Sequence, residues 1–229
     1  MCGKDGVVLA SDQSERRVNH DDSVATQNLV TKIRIDDTRK FAWAYAGGMV
    51  APIFSNHFGQ AMKSQTHQLS YRDAVNKLAD SVMPAYEEWH PNAAGPSGYT
   101  CVTLACGAAK KIFRNMFSRM GEAEEMQGGW CVAGSEFNVA SFLPRRLHSP
   151  ELSVEQLVCL AAYSIRAAHD FDSAFVNGLD IAVYRDSVGR FEFVDSIFYW
   201  NEIEKFDAGL RQAIKEHAPF IMDHLRKEP

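Results

Sequence analysis

Strand-like runs in this sequence come in groups, and helical runs come in pairs between those groups. That order restricts the folds open to the chain. Residues 6–10, Gly-Val-Val-Leu-Ala, are apolar and rich in β-branched side chains, as a buried strand is. Lys4-Asp5-Gly6 reads as a tight turn, which implies a further strand upstream. Residues 14–28 are polar and read as a loop or twisted hairpin. Residues 29–35 alternate and end at Asp36-Asp37, and residues 41–46 put large side chains on one face and alanines on the other; both read as strands. Two helical patterns follow. Val50, Ile53, Phe54, Phe58 and Met62 mark 49–63, and Ala74, Leu78, Val82, Met83 and Tyr86 mark 70–89.

The second half repeats this plan. Residues 99–105 and 112–117 read as a hairpin around Gly107-Ala108-Ala109-Lys110, and 129–133 as another short strand. Residues 137–143 read as a short helix stopped by Pro144. A helix over 153–169 opens with Ser153 and Gln156 three residues on, a capping pattern. Residues 179–184 and 191–194 form a last hairpin, and 200–226 a long amphipathic helix. Strict βαβ alternation would predict a doubly wound parallel sheet. Hairpins grouped with helix pairs predict an α+β fold instead, a four-layer α-β-β-α sandwich of two antiparallel sheets.

Composition narrows the function classes. With 229 residues, 46% of them hydrophobic, the chain can bury one large core, so it reads as one domain over 1–229 with 200–229 as a C-terminal helical extension. The formal net charge is -5 with the two signs mixed, which points away from nucleic acid and from anionic membrane surfaces. The small cluster Arg145, Arg146 and His148 reads as a solvated loop or an anion site. Of the 5 cysteines no pair is spaced C-x-x-C, so neither a zinc site nor a disulfide framework is expected. Cys101, Cys106, Cys131 and Cys159 read as small core residues. Reduced thiols, no apolar run of spanning length and no signal-like N-terminus make a soluble cytoplasmic protein without a cofactor the expectation.

Four stretches carry a more specific likeness. They are Gly3-Lys4-Asp5-Gly6-Val7-Val8-Leu9-Ala10-Ser11-Asp12; Lys32-Ile33-Arg34-Ile35-Asp36 with Ala46-Gly47-Gly48; Ala133-Gly134-Ser135; and Asp170-Phe171-Asp172-Ser173 leading into Asn177-Gly178-Leu179-Asp180-Ile181-Ala182-Val183. In order and spacing these resemble proteasome β-type subunits and the bacterial protease ring HslV, members of the N-terminal-nucleophile hydrolases. The likeness spans residues 3–195, and the helix from Trp200 lies outside it.

The resemblance implies a threonine-type endopeptidase that degrades peptides or unfolded proteins inside a homo-oligomeric ring, with an ATPase or regulatory ring as a further partner. In this family the first residue of the mature chain is the nucleophile and its α-amine the base. A buried lysine beside it favours the ionised nucleophile, an acidic residue holds that lysine, and a backbone N–H supplies the oxyanion hole. Carried over, Lys32 is the lysine, Asp12 its partner, Gly47 the oxyanion donor, and Ser135 with Asp172 orders the terminal amine. Read without the resemblance, Lys32 is a surface strand lysine, Asp12 a turn cap, Gly47 a reversal glycine and Asp172 a helix-end acid.

Two departures stand out. No Thr precedes the first hairpin, and Phe175 occupies a position where the family often has a second serine. Three readings of the first departure stay open. The nucleophile lies upstream of the given start; or the chain is a silent structural subunit of a ring; or removal of Met1 exposes Cys2 as the nucleophile of an amidohydrolase. Cys2 stands ten residues before Asp12, which is short for the strand to reach the lysine.

Overall fold

In a computed structural model, residues 1–18, 24–46, 101–116, 124–134, 137–171, 173 and 176–225 are described. The chain opens with a hairpin: β1 (Cys2–Gly3) turns through Lys4-Asp5 into β2 (Gly6–Ser11), with Cys2 opposite Val7 and Gly3 opposite Gly6. No side chain fits at Gly6, because a Cβ there would collide with the carbonyl oxygen of Tyr184. A second hairpin, β3 (Ser14–Val18) and β4 (Val24–Leu29), occupies the polar stretch. Next come β5 (Ile33–Ile35), β6 (Phe41–Ala46), β7 (Cys101–Cys106), β8 (Lys111–Met116) and β9 (Glu124–Glu125). Helices α1 (Phe137–Leu147) and α2 (Val154–Phe171) lead to β10 (Asp180–Arg185) and β11 (Arg190–Phe193), and α3 (Ser196–Leu225) closes the chain.

Besides the two-stranded β3-β4 ribbon, the described strands form a four-stranded sheet, β1-β2-β10-β11, and a five-stranded sheet, β5-β6-β7-β8-β9, each antiparallel throughout. The expected α+β class with two antiparallel sheets is therefore present. Alternation along β2 and β10 feeds two different layers. Val7 and Leu9 of β2, with Ala182 and Tyr184 of β10, pack against Ile33, Ala42, Ala44, Ala105 and Ile112 of the other sheet. Val8, Ile181 and Val183 point the opposite way, onto Val154, Leu157, Val158, Ala161 and Ala162 of α2. The alanines of β6 thus face the partner sheet, as their alternation with Phe41, Trp43 and Tyr45 predicts.

Three local expectations are corrected. Residues 129–133 are not a strand. Gly129 is left-handed at φ 69, turns back on the carbonyl of Met126, and gives its own carbonyl to the N–H of Cys2. Pro144 lies inside α1 rather than ending it. The proline withholds one donor, but its carbonyl still accepts the N–H of His148 at 2.9 Å, and the helix keeps its last turn. The run 29–35 is divided: Leu29 ends β4, Val30 donates its N–H to Gln13, and β5 begins only at Ile33. The capping pattern of α2 is present as reciprocal bonds, Ser153 N–H to Gln156 Oε1 (2.9 Å) and Gln156 N–H to Ser153 Oγ (3.3 Å). The two helical patterns at 49–63 and 70–89 lie outside the described residues.

Candidate active site

Where β2 ends, the chain becomes polar. Asp12 follows Ser11 and folds its carboxylate back over the turn, Oδ2 accepting the N–H of Ser14 at 2.9 Å. The same carboxylate receives Lys32 Nζ on both oxygens, at 3.0 and 2.8 Å. The two side chains are only 13% and 23% exposed. Lys32 arrives there because the Val30 N–H donates to the Gln13 carbonyl at 2.7 Å, which seats the approach to β5 against the Asp12 turn. An ammonium fixed by a carboxylate at the edge of a sandwich can favour an ionised hydroxyl or thiol beside it, or stabilise a developing anion.

A further acid belongs to this end of the sandwich. Asp180 opens β10 opposite Ser11 and, by alternation with Ala182 and Tyr184, faces the layer between the sheets. It is 8% exposed. Its Oδ1 accepts Gln13 Nε2 at 2.7 Å, while Oδ2 meets no hydrogen-bond partner among the described residues. Burial pushes its carboxyl above the ordinary value. Bonds from Gln13 and Thr31 and the charge of Arg34 oppose that rise, and the charge of Asp12 adds to it. Sequence reasoning missed Asp180 as a site residue. The signal was an acid on the inward face of an otherwise apolar strand.

The other predicted site residues fare differently. Cys2 sits in β1 with its side chain in the layer between the sheets. Its N–H donates to Gly129 O at 2.7 Å, and its carbonyl lies 2.9 Å from His148 Nε2. Burial pushes its thiol up, against the pull of the terminal ammonium. The Met1 amine donates to Val8 O at 2.7 Å, and burial pushes it down from its ordinary value. Val8 precedes Asp12 by four strand-like steps, on the order of 13 Å. The structure therefore brings Asp12 and Lys32 together, but neither the Met1 amine nor Cys2 joins them. Gly47, Ser135 and Asp172 lie outside the described residues. Among the described residues no group of three or more His, Cys, Asp or Glu is placed to hold a metal, and no helix is long and apolar enough to cross a membrane.

Comparison with known proteins places the fold. No family model matches the chain, and no curated protein matches it by sequence. Among solved structures it is similar to Anbu from Hyphomicrobium sp. strain MC1, at 14% identity over 93% of this chain and 94% of that one, TM-score 0.65. It is also similar to Anbu (ancestral beta-subunit) from Yersinia bercovieri, at 11% identity over 94% of each chain, TM-score 0.66. A Gly-1 mutant of the Hyphomicrobium protein gives 14% identity over 93% and 94%, TM-score 0.61. These likenesses show the fold alone. They correct the resemblance drawn from sequence to proteasome β-type subunits and HslV: the matching structures are Anbu proteins, proteasome-like but a distinct family. Four short motifs hold too few residues to separate one family of this fold from another, and at 11% to 14% identity the matches speak for the fold only.

Proposed function

We propose that this chain is a subunit of a peptide-bond hydrolase of the N-terminal-nucleophile type that works within a homo-oligomeric ring. The observation that carries this reading is the half-buried Lys32–Asp12 ion pair at the polar end of the sandwich. The likeness in fold to an ancestral β-subunit supports it. Lys32 favours the ionised nucleophile and Asp12 keeps the ammonium charged and fixed. The attacking group is the N-terminal residue of a mature chain that extends β1 along β2. In the register of Cys2 with Val7 and Gly3 with Gly6, the position facing Asp12 falls upstream of Met1. Gly47 supplies the oxyanion N–H, and Ser135 with Asp172 orders the amine. Enclosure in a ring restricts substrates to unfolded chains or peptides, and a regulatory ATPase ring would feed them in the cytoplasm.

A second reading is a ring subunit without catalysis. The remoteness of the Met1 amine and Cys2 from the ion pair favours it. Protein purified from its native source separates the two by intact mass, N-terminal sequencing and turnover of fluorogenic peptides. A mature N-terminal Thr with turnover that Lys32→Met removes supports the hydrolase. A chain starting at Met1 without turnover supports the silent subunit. Turnover that survives Lys32→Met refutes the assigned site.

A further inference from the structure

We propose that Asp180 is a positioning residue for the Lys32–Asp12 pair, acting through Gln13. β10 presents Asp180 opposite Ser11, the last rung before β2 gives way to the Asp12 turn. Gln13 is held from three sides. Its N–H donates to Asn177 O at 2.8 Å, its carbonyl accepts the Val30 N–H at 2.7 Å, and its Nε2 donates to Asp180 Oδ1 at 2.7 Å. Gly178, left-handed at φ 69, leaves the room this needs, since a Cβ there would collide with the Gln13 side chain. Gln13 is one peptide from Asp12, and its partner Val30 is two residues from Lys32. Displacing Gln13 therefore moves both members of the ion pair.

The protonation state of Asp180 decides how much negative charge lies beside the Asp12 turn. Gln13 and Thr31 both bond this carboxylate, yet its removal from water still disfavours the ionised form. Neutral or ionised, the carboxyl can accept the Gln13 amide on Oδ1. The charged groups facing it among the described residues are Asp12 from the β2–β3 connection and Arg34 from β5, with Lys32 held by Asp12. Burial outweighs Arg34 and keeps the neutral form to higher pH than an ordinary aspartate. Ionisation then places a second negative charge near Asp12, in competition for the cations of this end. This role rests on the hydrolase reading only for its kinetic arm.

The test follows the Lys32 side-chain NMR signal across pH in protein that carries its mature native N-terminus, with lysine labelled at Cε and Nζ. Wild type is compared with Asp180→Asn and Asp180→Leu, and peptide turnover is read on the same samples. Asparagine keeps the acceptor for Gln13 and cannot ionise. Asp180→Asn is expected to keep the wild-type Lys32 shift at low pH and to lose the pH step that wild type shows above the ordinary carboxylate range. Asp180→Leu is expected to move the Lys32 shift at every pH and to lower kcat about tenfold at unchanged KM, as a misplaced catalytic group does. If Asp180→Leu does not fold, Gln13→Met removes the same bond from its other end and is read in the same way. Identical Lys32 titrations in all the proteins overturn the proposal. Lys32 shifts that respond as expected in proteins that cleave nothing uphold the positioning role and sink the hydrolase reading instead.

Discussion

The two ends of β2 are built from opposite materials. At the Gly6 end, Val7 pairs with Tyr184, Tyr184 packs on Phe191 with ring centroids 5.4 Å apart, and the backbones are close enough to exclude a Cβ. That end is tightly packed. At the Ser11 end the same two strands meet over Asp12, Gln13, Lys32 and Asp180, three ionisable groups and an amide held partly out of water. The contrast teaches that one ladder can serve as both clamp and platform. Rigidity is set where apolar side chains pack between the sheets, and the Lys32–Asp12 pair is placed where the strands run out. If so, damage at the closed end should cost stability, and damage at the polar end should cost chemistry.

The largest effect is expected at the closed end. Phe191 is 0% exposed, and Phe191→Ala leaves a cavity that the packed Tyr184 and the facing sheet fill poorly. A loss of about 3–5 kcal/mol is expected from such a truncation, measured by urea denaturation. A loss below about 1 kcal/mol would mean that this end is not the clamp. Next comes Lys32→Met at the polar end. Peptide turnover is expected to fall about 100-fold or more, as when a charge-stabilising group is removed from an active site. The urea midpoint should move far less than for Phe191→Ala. A variant that loses stability and keeps turnover would reverse the assignment of roles to the two ends.

A smaller effect sharpens the contrast through pH. The native pKa of Asp180 is raised above its ordinary value by burial, so between those two values the native state binds more protons than the unfolded one. The contribution of Asp180 to stability should be fullest below the ordinary carboxylate range and should be lost as pH rises through its native pKa. Asp180→Asn removes that decline. Urea midpoints at a series of pH values read it directly. An equal slope in wild type and variant would show that Asp180 does not hold its proton on folding.

The sequence made the closed end easy to read and the polar end hard. The apolar, β-branched run at 6–10 read as a buried strand and 179–184 as a strand of the last hairpin, and the structure places them as neighbours, β2 and β10, each buried on both faces. Ser153 and Gln156 announced the start of α2 through a local bond pattern. The pairing of Asp12 with Lys32 spans 20 residues and was visible only through a family likeness, yet it is present. Asp180 escaped notice because its role depends on Gln13, which is 167 residues away. Pattern reading has no access to that distance. The strand expected at 129–133 failed for a related reason: Gly129 turns back on Met126 and gives its carbonyl to the Cys2 N–H across the fold, which a local pattern cannot reveal.

The smallest effect lies where the closed end meets α2. Asp5, in the turn between β1 and β2, accepts the N–H of Val154 at 2.8 Å, and Ser153 Oγ accepts that of Gln156. Both satisfy free donors of the same helix terminus, and the Asp5 carboxylate also suits its positive dipole end. Asp5→Ala and Ser153→Ala should each cost about 1 kcal/mol. The two side chains serve different N–H groups, so the double variant should lose nearly the sum; a shortfall would mean that one loss already frays the first turn. Neither residue touches Asp12 or Lys32, so the Lys32 signal should stay at its wild-type position in all three variants. Movement of that signal would show that the clamp and the platform are mechanically coupled along β2, and the division between its ends would then have to be given up.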